Sequence, residues 1–226
     1  VPVILAGSMR TEDIIRQQYI VFLFAIPLTA FIFIVSSMAE LGRAPFDLLE
    51  AESEIVAGFH TEYSGMKFGM FYVGEFLHTF TVAVLAAMFF LGGWRGPFAD
   101  DTGFLPRLLG LVYLSIKSQI AYLALMWVRM TVPRVRIDQM LGFNWKFLVP
   151  LSLVNLLVVA FVWKLIPDTD QINSFREALL PSLVLLIANL AMIAGVAMIL
   201  RAQGRRERAR LQVYYAGAAA GETAAD

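Results

Sequence analysis

Five long stretches of apolar residues limit what this chain can fold into more than any other feature of its sequence. A helix needs about 20 consecutive apolar residues to cross the hydrocarbon core of a bilayer. The first and last stretches contain no charged residue, the second contains Glu75 and His78, and the third contains Lys117. We therefore predict an all-α integral membrane protein with about five transmembrane helices and long cytoplasmic loops. The predicted spans are residues 19–38, 69–91, 105–128, 148–165 and 179–200, within a single transmembrane domain (1–205) that a disordered cytoplasmic tail (206–226) follows.

Composition supports this fold class and excludes several others. Hydrophobic residues make up 59% of the 226 residues and charged residues 16%, against about 45–50% and about 25% in soluble domains. This excludes a soluble globular enzyme, a nucleic-acid-binding protein and a disordered chain. Cysteine is absent, which excludes disulfides, iron–sulfur clusters and thiolate zinc sites, and we predict no metal site.

The basic residues outside the spans predict the orientation, because cytoplasmic loops carry an excess of Lys and Arg. If the chain has five spans, most of these basic residues lie on the side of the membrane that holds residues 39–68, 129–147 and the tail after Leu200. We therefore predict that these segments are cytoplasmic. The opening segment, 1–18, has no signal-peptide pattern, and we expect the chain to be the C-terminal part of a longer protein or the product of a late start site.

The first predicted cytoplasmic loop is unexpectedly acidic for the basic side of the protein. Residues 40–62 read ELGRAPFDLLEAESEIVAGFHTE, with Arg43 as their only basic residue apart from His60. A capping box from Asp47 to Glu50 explains part of the pattern, so a solvated amphipathic helix is one interpretation. Its weakness is the density of carboxylates, which repel one another and acquire raised, coupled pKa values. We favour a role in proton handling for the acids of this loop: Glu40, Asp47, Glu50, Glu52, Glu54 and Glu62.

Charged residues inside the predicted spans point in the same direction. They are costly in a membrane unless paired or hydrated, and they usually mark a pathway for ions or protons. Glu75 and Lys117 lie on consecutive spans, so a structural ion pair between them is the alternative interpretation, and both can hold together. His78, three residues after Glu75, is more commonly a hydrogen-bonded packing residue. We predict a proton relay that starts at Glu40 and includes Glu75, His78 and Lys117.

The second predicted cytoplasmic loop, residues 128–147, is basic, with Asp138 as its only acid. Its arginines are explained equally well by the positive-inside pattern and by a docking surface for a cytoplasmic partner. The sequence leaves both interpretations open.

These two loops resemble a known family. The run AELGRAPFDLLEAESEIVAGFHTEYSGMKFGMFYVGEF (39–76) resembles a loop and helix of the H-subunit family of proton-pumping NADH-quinone oxidoreductase, or respiratory complex I. The run VRMTVPRVRIDQMLGFNWKFLVPLSLVN (128–155) resembles the next cytoplasmic loop and helix of that family. Many members have Asn and Pro where this chain has Gly42 and Leu49, which changes the turns of the loop but removes no titratable group.

The resemblance implies a specific function. Members of the family wall a quinone chamber where the peripheral arm meets the membrane arm, and acidic residues lead from it towards neighbouring membrane subunits. By motif position, Arg43, Asp47, Glu50, Glu52, Glu54 and Glu62 would belong to the chamber loop and Glu40 and Glu75 to the acidic file. The resemblance implies quinone as substrate at a subunit interface, no resident cofactor, partners among the other complex subunits, and a bacterial inner membrane.

Two alternatives remain open. The membrane subunit of an energy-converting hydrogenase or formate-hydrogenlyase complex shares the helices but uses no quinone, and the run EAESEIVAGFHTEYSGMKF favours the quinone version. A stand-alone secondary transporter would show inverted repeats with paired helix interruptions, and the sequence shows neither.

Overall fold

The computed structural model describes residues 1–47, 58–97, 103–166 and 175–222. The described residues are helical apart from short connections, which confirms the prediction of an all-α membrane protein. The helices are α1 (Pro2–Ala6), α2 (Thr11–Arg16), α3 (Phe22–Ala25), α4 (Pro27–Glu40), α5 (Phe59–Glu62), α6 (Gly65–Phe90), α7 (Phe104–Thr131), α8 (Ile137–Phe143), α9 (Val149–Leu165) and α10 (Phe175–Glu222), with a π-helical turn (Asn144–Leu148) between α8 and α9.

Four helical stretches in the described part of the chain are long and apolar enough to cross a membrane. They are 65–90, 104–131, 137–165 and 176–202, and they include the last four predicted spans except for Leu91, the final residue of the second. Between 11% and 28% of the most apolar part of each stretch is buried inside the protein. The remaining apolar surface suits lipid or neighbouring subunits, because a water-soluble monomer rarely exposes large apolar patches.

The first predicted span, residues 19–38, is not one continuous helix. It is divided into α3 and α4 at Ile26, whose backbone lies at φ −132° and ψ 62°. Pro27 causes the break, because it has no backbone N–H and its ring clashes with the preceding turn of a helix. The described part of the chain therefore has one shorter apolar helix, α4, in addition to the four long ones.

Helix α4 lies between two helical hairpins, α6–α7 and α9–α10, and contacts α6, α9 and α10. Its two halves contribute to two separate apolar cores. Ala30 packs in a core with Ile26, Phe90, Val159 and Leu185. Met38, at the other end of α4, packs in a second core with Phe46, Val82, Ala83 and Leu125. The second core supports the charged residues described below.

The last helix continues further than the sequence predicts. Helix α10 extends to Glu222, whereas residues 206–226 are predicted to be a disordered tail. Arg, Ala and Glu make up 11 of the 18 residues from 205 to 222, and these residues favour the helical state. The polar composition of residues 206–222 indicates that they are not buried, but it does not indicate their helix propensity. The prediction and the structure therefore differ over these residues.

Candidate functional site

The turn that follows α4 brings the two motif loops of the sequence together. Gly42 adopts φ +58°, a left-handed conformation that glycine reaches without steric cost. The chain then folds back, with the Phe46 N–H donating to the Arg43 carbonyl at 2.9 Å. The Val135 N–H from the second loop donates to the Pro45 carbonyl at 3.0 Å. Both loops therefore lie at the same end of the helical bundle, as the alternation of spans predicts.

Arg43 forms an ion pair with Glu75 at this end of the bundle. Its Nη2 lies 2.9 Å from Glu75 Oε2, and the Arg43 side chain is 6% exposed while that of Glu75 is 39% exposed. The guanidinium also lies over the Phe76 ring, 5.6 Å from its centroid. Arg43 is thus almost fully withdrawn from solvent, and Glu75 is the carboxylate that pairs with it among the described residues.

A second ion pair joins the two loops directly. Arg134 Nη2 lies 3.0 Å from Asp47 Oδ2, with side chains 38% and 12% exposed. The other carboxylate oxygen of Asp47 is buried and has no hydrogen-bond donor among the described residues. The capping box predicted from Asp47 to Glu50 would supply one, but residue 50 lies outside the described part of the chain.

Apolar side chains surround these charges. Phe46 lies beside Phe143 with its ring nearly parallel, at a centroid distance of 6.4 Å. A narrow cleft beside Arg43 is lined by Met38, Leu41, Phe76, Thr79, Leu125, Met126 and Arg129, and its volume is about 10 Å³. Ligand pockets generally measure about 300–1,000 Å³, so this cleft alone does not enclose a ligand of quinone size.

Several predicted site residues lie elsewhere or outside the described part of the chain. Glu40, Glu62 and His78 are exposed, and among the described residues none of them joins the two ion pairs. Glu50, Glu52 and Glu54 lie outside the described residues. The structure thus brings together Arg43, Asp47 and Glu75 from the predicted set.

The predicted alternative pairing of Glu75 with Lys117 is wrong. Lys117 Nζ donates to the Arg95 carbonyl at 2.7 Å, in the loop after α6. Glu75 and the end of α6 at Phe90 are separated by about 22 Å along the helix, at 1.5 Å per residue. Hydropathy places both residues inside predicted spans, but it does not show how far one helix is shifted along its axis relative to the next. In the structure, Arg43 and not Lys117 pairs with Glu75.

The sequence reasoning missed Arg134 as a site residue. It belongs to the basic loop whose arginines are explained equally well by topology, and no pattern in that loop distinguishes it from its neighbours. The sequence does contain one indication of a partner for Arg134, which is the opposite charge of the two loops. An acidic loop and a basic loop at the same membrane face form ion pairs when they approach each other.

This arrangement can respond to charge. Glu75 is a carboxylate that can take up a proton, and its partner Arg43 stays protonated at all physiological pH values. The geometry is therefore that of a partly exposed carboxylate on a membrane-spanning helix that is ion-paired with a buried guanidinium from the loop after α4.

Comparison with known proteins identifies the family. The model of a family described as NADH dehydrogenase matches residues 1–160, which is well over half of the chain. The chain belongs to the NADH dehydrogenase family. The matched segment of this family member contains α4, both motif loops and all four residues of the two ion pairs.

Relatives extend this assignment. The chain is 43% identical over 195 residues to the NADH-quinone oxidoreductase H subunit of Dehalococcoides mccartyi strain 195, covering 85% of this chain and 53% of the relative. It is 48% identical over 161 residues to the same subunit of Geobacillus kaustophilus, covering 71% and 47%. The first of the numbered H subunits of Geobacter metallireducens is 46% identical over 161 residues, covering 71% and 46%. The chain spans about half the length of the curated relatives it matches.

Proposed function

We propose that this chain acts as a membrane subunit of a proton-translocating NADH-quinone oxidoreductase. In this proposal it forms part of a quinone chamber at a subunit interface and couples quinone reduction to proton movement. The Arg43–Glu75 ion pair is the observation that carries the proposal, because it links the loop after α4 to a carboxylate inside a membrane-spanning helix. The relatives named above support the reaction, and the hydrogenase alternative is not favoured by their names.

The proposed coupling follows from the two ion pairs. Quinone reduction changes the local charge next to the loop that holds Arg43 and Asp47. A new negative charge there competes with Glu75 for the Arg43 guanidinium, which weakens the stabilisation of ionised Glu75 and favours its protonation. The Asp47–Arg134 pair holds the loop against its neighbour during this change. Glu40 and the loop acids Glu50, Glu52, Glu54 and Glu62 complete the proposed path on the loop side.

The proposal includes location and partners. The acidic loop and the C-terminus face the cytoplasm, and the membrane is the bacterial inner membrane. Quinone is the substrate, and no resident cofactor or metal binds this chain. The small volume of the cleft beside Arg43 supports a chamber completed by other surfaces, so peripheral-arm quinone-site subunits and neighbouring membrane subunits are the proposed partners.

The variant Glu75→Gln in the full-length protein tests this proposal. The amide keeps the size of the side chain and can still accept a hydrogen bond from Arg43, but it cannot bind a proton. We expect a loss of NADH:quinone reductase activity and of proton pumping, measured in inverted membrane vesicles, without loss of the assembled complex.

A matched control is available at the other end of the bundle. Glu12 also pairs with an arginine, Arg16, at 2.6 Å, but the Arg16 side chain is 73% exposed whereas that of Arg43 is 6% exposed. Glu12→Gln should therefore leave both activities unchanged. Full quinone reduction and full pumping by Glu75→Gln would contradict the proposal, and insensitivity of the assembled complex to quinone-site inhibitors would favour the hydrogenase alternative.

A further inference from the structure

Helix α10 presents a row of arginines where its membrane-spanning stretch ends. The stretch covers residues 176–202, and the helix continues beyond it. Arg201, Arg205 and Arg208 follow one another by four and three residues, which places them on one side of a helix. All three side chains are exposed, and none of them pairs with a carboxylate among the described residues. We call these three residues the arginine stripe.

The arginine stripe continues a face of α10 that is apolar and exposed along the membrane-spanning stretch. Leu183, Ile187 and Leu190 each precede one of the arginines by 18 residues, which is about five full turns of a helix. Their exposed fractions are 52%, 63% and 50%. Leu185, which is 2% exposed and packs in an apolar core, lies on the opposite side of the helix. One unpartnered face therefore passes from apolar side chains to guanidinium groups.

The depth of the arginine stripe fits the headgroup layer of a bilayer. Arg201 lies in the last turn of the membrane-spanning stretch, and Arg205 and Arg208 lie about 4.5 and about 9 Å beyond residue 202, at 1.5 Å per residue. The hydrocarbon core is about 30 Å thick and the whole bilayer about 40–45 Å, which leaves about 5–8 Å for each headgroup layer. Because an arginine side chain can extend along the helix towards this layer, all three guanidinium groups can reach it.

We propose that this face of α10 binds an anionic phospholipid. The acyl chains lie along Leu183, Ile187 and Leu190, and the headgroup phosphate accepts hydrogen bonds from the arginine stripe. Guanidinium groups match the geometry of a phosphate through paired N–H donors, and basic clusters beside a span attract anionic lipids. An acidic protein surface would complement the charges but not the apolar residues that lead into them, whereas a lipid complements both.

The inference is independent of the proposed reaction. Helix α10 lies outside residues 1–160, the segment that the family model matches, and it contains neither ion pair of the charged site. Loss of lipid binding and loss of quinone reduction are therefore separate results.

Lipid binding by the full-length protein in detergent tests the proposal. We expect the protein to bind dioleoylphosphatidylglycerol more tightly than dioleoylphosphatidylcholine, measured by mass spectrometry of the intact protein at increasing lipid concentration. Replacing all three arginines of the stripe by glutamine should weaken the binding of phosphatidylglycerol about 100-fold, since each basic residue near a lipid surface contributes about tenfold or slightly less. Lysine at the same three positions keeps the charge and should restore most of the binding. Detergent exposes both sides of the protein, so a change in membrane insertion does not affect the result.

A matched control removes three arginines that do not share a helix face. Arg10, Arg107 and Arg176 are exposed and belong to the segment before α2, to α7 and to the first turn of α10. Their joint replacement by glutamine should leave phosphatidylglycerol binding unchanged. Equal losses in the two triple variants, or equal binding of the two lipids by the unaltered protein, would overturn the proposal.

An experimental structure of the assembled complex in a bilayer that contains phosphatidylglycerol gives the direct test. We expect a headgroup phosphate within hydrogen-bond distance of the arginine stripe, with density for acyl chains along the apolar face. Carboxylates of a neighbouring subunit in place of the phosphate would show that a protein covers this face, and the lipid site would be refuted.

Discussion

The two ends of the bundle both contain charged side chains, but the described contacts of these side chains differ. At the charged end, defined by Arg43, Asp47, Glu75 and Arg134, each arginine meets a carboxylate. At the opposite end, defined by Gln18, Gly92, Arg95 and Lys117, the described contacts of the cations include neutral acceptors. Lys117 donates to the Arg95 carbonyl, and Arg95 donates to the Arg16 carbonyl and lies over the Tyr19 ring at 4.2 Å.

This difference separates two uses of charge. A carboxylate paired with an arginine can change its protonation, and the pair then loses or gains most of its attraction. A backbone carbonyl keeps its acceptor strength at every pH, so a cation bonded to it holds the chain in place. The end of α6 is held by a neutral donor as well, because Gln18 donates to the Met88 and Phe89 carbonyls at 2.8 and 3.1 Å. In the proposed function, the charged end changes its protonation and the opposite end holds the chain in place.

Arg43→Met tests the charged end of this contrast directly and should have a large effect. It leaves the Glu75 carboxylate beside apolar side chains without its partner. Breaking a buried ion pair on one side costs about 3–5 kcal/mol, and the partial exposure of Glu75 reduces our expectation to about 2 kcal/mol. Unfolding of the full-length protein in detergent by denaturant measures this loss.

A double variant tests whether the loss of the ion pair causes the lower stability of Arg43→Met. Arg43→Met combined with Glu75→Gln removes both charges, so it should be more stable than Arg43→Met alone. If the double variant is less stable than either single one, the pair is not the source of the effect, and the contrast between the two ends fails.

The spans were predictable because hydrophobicity alone determines them. A helix that crosses a bilayer requires a long apolar run, and the stretches around 69–91, 105–128 and 179–200 each became a helix of at least that length. The break at Ile26–Pro27 also had a visible signal, since proline inside a span interrupts the hydrogen bonds of a helix. The apolar run over residues 19–38 nevertheless favoured a single continuous span in the prediction.

The partner of Glu75 could not be predicted in the same way. Two charged residues inside neighbouring spans, Glu75 and Lys117, are compatible with a pair, but their contact depends on loop lengths and on where each helix ends. Arg43 reaches Glu75 only because Gly42 turns the chain back towards α6. Pairings of this kind are tertiary, and no local pattern of residue types contains them.

Gly93→Ala and Gly42→Ala compare the rigidity of the two ends. Both glycines have positive φ, +49° and +58°, which costs an L-residue about 1–2 kcal/mol. A Cβ at position 93 would also lie 2.7 Å from Ile15 Cδ1, whereas nothing lies within 4 Å of one at position 42. Ile15 is 1% exposed and has little space to move.

We therefore expect Gly93→Ala to lower the free energy of unfolding by about 2–3 kcal/mol, from backbone strain plus crowding. Gly42→Ala should lower it by about 1 kcal/mol, from the backbone alone. Denaturant unfolding of the two variants under identical conditions gives the comparison. Equal losses would show that the opposite end is no more tightly packed than the charged end.

Lys117→Met tests whether the opposite end fastens the loop or takes part in the relay that the sequence predicts. The ammonium bonds a carbonyl in the loop after α6, and hydrogen bonds to charged groups contribute about 1.5–3 kcal/mol. With the flexible loop able to adjust, we expect a stability loss of about 1 kcal/mol and quinone reduction close to that of the unaltered protein. Activity lost at unaltered stability would instead return Lys117 to the relay.

Arg134→Gln should have the smallest effect. Arg134 is more than one-third exposed, and exposed ion pairs contribute about 0–1 kcal/mol. The backbone bond from Val135 to the Pro45 carbonyl still joins the two loops in this variant, so we expect a loss of about 0.5 kcal/mol.

Salt dependence distinguishes this pair from the Arg43–Glu75 pair. Screening acts strongly on exposed charges and weakly on buried ones. Raising the salt concentration should therefore reduce the stability difference between Arg134→Gln and the unaltered protein, while the difference for Arg43→Met persists. If salt removes both differences equally, Arg43 and Glu75 are as hydrated as a surface pair, and the charged end could not hold Glu75 under the control of a buried cation.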